Sequence, residues 1–241
     1  MATHPYMTLA EHLGELRWCL IKSLIAVALL SGVCYFFSDL IFGLMVAPLK
    51  QSLRPGQNLI GTGVTEAFFT EIKVALVGGV TLSCPLIFYQ LWRFISPGLL
   101  GEEKKLVVPF VLCTTLFFLG GAYFCYRIVL PVAFGYFIEQ YGTMGVTPAI
   151  RIGEYFTFFF RMVLAFGITF ELPVFTFFLV RLGIWDYRFM LRSFRYAIVV
   201  IFILAAVLTP TPDIINQSLL AGPMTLLYGV SIGVAYLWRR K

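Results

Sequence analysis

The chain has 241 residues, of which 60% are hydrophobic, 17% aromatic and only 12% charged, and its mean hydropathy is +0.90. A soluble core of this length cannot hide so much apolar surface, which excludes a soluble globular domain and predicts a single-domain, all-α integral membrane protein over residues 1–241. The formal net charge of +6 bears on orientation through its placement along the chain, not through its sign.

The N-terminal stretch MATHPYMTLAEHLGELRW is too polar for the apolar part of a secretory leader. The first span is therefore expected to act as its own uncleaved targeting signal. Six spans are predicted, at about 18–38, 72–92, 106–126, 155–180, 196–210 and 219–238. The first four are long enough to cross a bilayer, which takes roughly 20 helical residues. In the fifth, the charge-free core from Ala197 to Leu208 covers only about 18 Å. The sixth carries Gly222 and Pro223 early. Spans five and six are thus expected to form a thin edge that locally thins the bilayer. The connections 39–71 and 127–154 contain apolar aromatics such as Phe42, Phe134 and Phe137, and are expected to fold as caps over the bundle. Prolines within or beside the spans, among them Pro48, Pro85, Pro131, Pro173 and Pro223, remove backbone donors and bend helices. Bent helices make a curved wall.

An even number of spans puts both termini on one side. That side carries twelve basic residues (Arg17, Lys22, Arg93, Lys104, Lys105, Arg181, Arg188, Arg192, Arg195, Arg239, Arg240, Lys241). The other carries five (Lys50, Arg54, Lys73, Arg127, Arg151), with Arg161 set aside because it lies within a span. The excess predicts cytoplasmic termini. The five cysteines lie in or beside apolar stretches, and the two histidines are His4 and His12. The cysteines read as small buried hydrophobes and not as a disulfide framework, and with histidine only at these two positions no metal site is expected. No cofactor is expected, and no nucleic-acid partner.

Three clusters of polar residues stand out. In the run MVLAFGITFELPVFTFFLV, residues 162–180, a carboxylate at Glu171 precedes Pro173. Arg161 cannot neutralise it. Ten residues separate them by about 15 Å of rise and roughly 80° around the axis. Glu171 must face protein or water and not lipid, as either a structural polar contact or a binding group. The second cluster has Glu11, Glu15 and Arg17 before the first span, and Phe94, Glu102 and Glu103 between spans two and three. These acids either pair with nearby bases or bind a cationic ligand, for which guanidinium groups suit best because each can engage a carboxylate in a fork. The third is TPTPDIINQ, residues 209–217. Asp213 there either caps a helix or acts in its first turn. Gln217 can hydrogen-bond a partner helix in lipid.

The stretches HLGELR, CPLIFYQLWRFISPGL with EEKK after it, AFGITFELPVF and LTPTPDIINQSLLAGP resemble, in order and spacing, the signature stretches of the TatC family, the multi-spanning receptor of the twin-arginine protein translocase. The resemblance covers nearly the whole chain. It implies a glove-shaped six-helix receptor of the bacterial cytoplasmic membrane that binds twin-arginine signal peptides and recruits single-span TatA and TatB to export folded proteins. It further implies association with other TatC copies and with membrane lipid. Carried over by position, Glu15 and Glu103 resemble the carboxylates that receive the arginine pair, with Arg17 and Phe94 in the same site. Glu102 beside Glu103 leaves two candidates for one role. Pro48 matches the proline of the first external cap. Glu171 matches an intramembrane acid of the concave face, and Asp213 and Gln217 match polar positions at the thin edge. Two rival classes fit less well. A secondary transporter usually shows internal repeats, and none is visible. An intramembrane protease needs a zinc motif, paired aspartates in spans, or a serine with a base in register, and none is present.

Overall fold

The computed structural model describes residues 9–53, 57–95, 107–208 and 214–237. Nine α-helices follow in chain order: α1 Leu9–Phe36, α2 Ser38–Lys50, α3 Glu66–Ile95, α4 Val107–Phe124, α5 Leu130–Thr143, α6 Ile152–Phe170, α7 Leu172–Arg181, α8 Tyr187–Leu208 and α9 Ile214–Leu237. Among the described residues, six helical stretches are long and apolar enough to cross a membrane: Glu11–Phe36, Glu66–Ile95, Val108–Thr143, Ile152–Arg181, Tyr187–Leu208 and Leu220–Leu237. Spans adjacent in sequence pack antiparallel, α1 on α3, α3 on α4, α4 on α6 and α8 on α9, while α7 of the fourth span packs parallel to α9 of the sixth. Leu9 and Leu237 thus lie at the same end of the bundle.

The connection after span three is more helical than a cap loop. A π-helical turn, Cys125–Val129, joins α4 to α5, and the helix runs on to Thr143. The turn sits directly before Pro131. Proline has no N–H to give the carbonyl four residues back, and the wider i→i−5 pattern, seen as Leu130 N–H to Cys125 O, carries the chain past that gap. Pro48 poses the same problem inside α2. It leaves the Leu44 carbonyl without its helical donor, and Tyr126 Oη supplies one at 2.8 Å. The Tyr155 hydroxyl donates to the neighbouring Met45 carbonyl. Pro48 and Leu49 are fully buried, so α2 is pinned as a lid on the main core. That core gathers Val46, Leu49, Leu130, Phe134, Tyr155, Phe156, Phe159 and Phe166. The lid end is stitched further by one parallel bridge, Ile60 N–H to Ile150 O and Ile152 N–H to Ile60 O, each 3.0 Å.

Close helix crossings depend on absent side chains. At the α1–α3 contact, a Cβ on Gly79 would collide with Ser31 Oγ and stand 2.5 Å from the Ser31 backbone nitrogen. At the α4–α6 contact, a Cβ on Gly121 would lie 2.6 Å from the Phe166 carbonyl oxygen. Because backbone atoms are in the way, no rotamer change relieves either clash. Gly79→Ala is therefore expected to push α1 off α3 and cost about 1–3 kcal/mol, the usual range for overpacking. It should appear as a lowered melting temperature of the detergent-solubilised protein, and an unchanged melting curve would contradict the packing described.

Helix α8 has 22 residues, but its first nine carry Arg188, Arg192 and Arg195. Its charge-free part is confined to 197–208, and the remainder of the helix extends on the side of the chain termini. Helix α9 runs through Pro223 without a break.

Candidate functional site

At the end of the bundle that holds the termini, the first turns of α1 and the last turns of α3 enclose a cavity of about 630 Å³. Glu11, Glu15, Trp18 and Lys22 line it from α1. Their spacing of four, three and four residues places all of them on one helical face. Gln90 and Arg93 line it from α3. Glu15 is half-buried, and among the described residues it makes no ion pair. Gln90 Oε1 is buried with no hydrogen-bond partner among the described residues. A buried acceptor left unmatched is costly, and beside the Glu15 carboxylate it leaves acceptors facing a cavity that Lys22 and Arg93 also line. Acceptors of this kind suit a donor-rich planar group such as a guanidinium.

Arg17, two positions from Glu15, falls on another face of α1, is exposed and does not line the cavity. Phe94 lies at its edge and stacks on His12 with ring centroids 4.3 Å apart and planes 16° from parallel. This contact fastens the start of α1 to the end of α3. Glu102, Glu103 and Asp213 lie outside the described residues. Gln90 and Trp18 escaped the sequence reading. The helical spacing from Glu11 to Lys22 could have pointed to Trp18, whereas Gln90 reaches the site only because α3 packs on α1.

Glu171 stands at the break between α6 and α7. Its N–H meets Ile168 O at 3.0 Å and its carbonyl accepts from Phe175 at 2.8 Å. The backbone thus turns at this residue and resumes as helix with Pro173 in the first turn of α7. The side chain is half-buried, near Cys84 of α3. Its Oε1 has no hydrogen-bond partner among the described residues. Arg161 is ten residues earlier on the same span and does not approach it.

Gln217 finds a partner within the chain, since its Nε2 donates to the Phe202 carbonyl of α8 at 2.7 Å. It also borders a shallow apolar groove along α8 with Ile198, Phe202 and Ala206. Pro48 lies far from both sites, buried in α2.

A family profile described as Sec-independent protein translocase protein (TatC) matches residues 11–223. The chain is 41% identical over 232 residues to the Sec-independent protein translocase protein TatC of Desulforapulum autotrophicum, covering 96% of this chain and 85% of that protein. It is 41% identical over 225 residues to the protein of the same name from Campylobacter jejuni, covering 93% and 91%. A crystal structure of the twin-arginine translocase receptor TatC superposes with a TM-score of 0.84 at 36% identity, covering 94% of this chain and 98% of that one.

Proposed function

Because the chain belongs to the TatC family of Sec-independent protein translocase proteins, a family of translocase subunits and not of enzymes, we propose that it is the signal-peptide receptor of a twin-arginine translocase. It captures the paired arginines of precursor signal peptides from the cytoplasm. With single-span TatA- and TatB-type partners and further copies of itself, it passes folded proteins outward. The observation that carries the reading is the cavity between α1 and α3, where Glu15 and the unmatched Gln90 Oε1 converge. By the family resemblance, Glu103, or Glu102 beside it, is the second acid of the site. Cytoplasmic termini follow from the twelve-to-five distribution of basic residues. The short charge-free part of α8 supports a thin edge at α8 and α9.

The test is binding of a signal peptide to the detergent-solubilised chain. A twin-arginine peptide is expected to bind at least several-fold more tightly than the same peptide with two lysines. Lysine keeps the charge but loses the planar fork. Affinity should fall as salt rises, because the site is exposed to solvent. Equal affinity for the two peptides would remove guanidinium recognition from this site.

A further inference from the structure

A second charged cavity, of about 470 Å³, opens at the opposite end of the bundle between α3, α6 and the last residue of α8. Glu66 and Lys73 line it from α3, and Arg151, Glu154 and Arg161 from the start of α6. The carboxylates here are already engaged. Glu66 accepts from Thr62 N–H at 2.7 Å, the Thr62 hydroxyl at 3.1 Å, Gly63 N–H at 3.1 Å and Gly153 N–H at 2.9 Å. Glu154 pairs with Arg151 at 3.2 Å, and Arg151 also donates to Thr62 Oγ1 at 2.9 Å. Lys73 and Arg161 have no hydrogen-bond or ion-pair partner among the described residues.

Both cations lie within about three turns of the helix ends at this side of the bundle. Lys73 is seven residues into α3, about 10 Å along the axis, and Arg161 is nine residues beyond the start of α6, about 13 Å. Both side chains are exposed, and their long stems let the two charges reach the headgroup region at this end of the bundle. We propose that Lys73 and Arg161, on facing walls of this cavity, bind the phosphodiester of an anionic phospholipid headgroup drawn in from the leaflet at the end of the bundle away from the chain termini. The volume suits a headgroup. Phe158 and Leu208, which border the cavity, offer apolar contact to the glycerol and ester region. A lipid headgroup reaches this site with its tails still in hydrocarbon, which a soluble anion cannot offer. Charge-assisted hydrogen bonds from both cations fix the phosphate. The inference rests on the membrane spans and not on peptide capture, so either can fail alone.

Native mass spectrometry of the purified full chain in detergent tests it, with phosphatidylglycerol, phosphatidylcholine of the same tails, and inorganic phosphate as probes. The wild type should retain phosphatidylglycerol on the order of tenfold more than phosphatidylcholine. The double variant Lys73→Gln with Arg161→Gln should lose that preference. Arg161→Lys should keep most of it, and Lys50→Gln, an exposed cation at the same end, should change nothing. Melting curves establish that each variant is folded. Should the double variant not fold, Lys73→Gln alone is expected to lower retention about threefold. Undiminished retention in folded Lys73→Gln and Arg161→Gln variants would overturn the proposal. So would displacement of the lipid by millimolar inorganic phosphate. Photocrosslinking from position 158 in the assembled translocase should capture lipid, and capture of a partner helix in its place would assign the cations to a protein contact and also overturn it.

Discussion

Replacing Glu15 by alanine is expected to lower the affinity for a twin-arginine signal peptide at least tenfold. The residue sits in the middle of the α1 face that lines the α1–α3 cavity, flanked by Glu11 one turn before and Trp18 one turn after. A hydrogen bond to a charged group contributes about 1.5–3 kcal/mol net, and about 1.4 kcal/mol corresponds to a factor of ten. Loss of a single fork therefore reaches a decade. Glu15→Gln should fall between, because an amide offers one acceptor and no charge. Glu103→Ala is expected to act similarly by the family resemblance. Combining it with Glu15→Ala should give a non-additive loss if the two acids hold one arginine pair. Titration of a labelled peptide against wild type and variants reads all of these. A full effect from Glu102→Ala with none from Glu103→Ala would move the second acid by one residue. Indifference to Glu15, Glu102 and Glu103 together would leave the receptor mechanism without its site.

The second large effect is expected at Glu171, and its sign differs between two measurements. Glu171→Leu should reduce crosslinking of the bundle to a TatB-type helix on the order of tenfold and leave peptide capture at the α1–α3 cavity nearly intact. The same substitution should leave thermal stability unchanged or raise it. The carboxylate has a buried oxygen with no partner among the described residues, and such groups carry a desolvation cost of about 1–3 kcal/mol that leucine does not. A residue that weakens the fold while it strengthens a partner contact is retained for the contact. Glu171→Gln keeps hydrogen-bonding capacity and should be mild in export assays. Loss of stability in Glu171→Leu, with crosslinking unaffected, would make Glu171 a structural residue that supports the α6–α7 turn.

These two sites differ in how far they could be read from residues alone. Glu171 was legible because a carboxylate inside an apolar run is expensive wherever the run sits, and Pro173 marks the helix break by local backbone chemistry. Glu15 was legible as an acid at a span end, and the role proposed for it came from resemblance. Gln90 was invisible as a site residue. A glutamine near a helix terminus carries no local signal, and its unmatched oxygen is defined only by what α1 does not offer it.

Hydropathy, charge placement and proline positions are sums over neighbouring residues. For that reason the sequence alone determined the membrane class, the six spans and the candidate acids. Contacts between distant segments are not such sums. Tertiary structure alone decided that Tyr126 serves the carbonyl that Pro48 leaves open. It also decided that Gln217 is tied to Phe202 within the chain, and that the helix after span three continues through a π turn to Thr143. It likewise brought Lys73 and Arg161 to one cavity while committing Glu66 to the backbone of two other segments. In each case the deciding quantity is which polar group lacks a partner, and that is known only when every helix around it is in place.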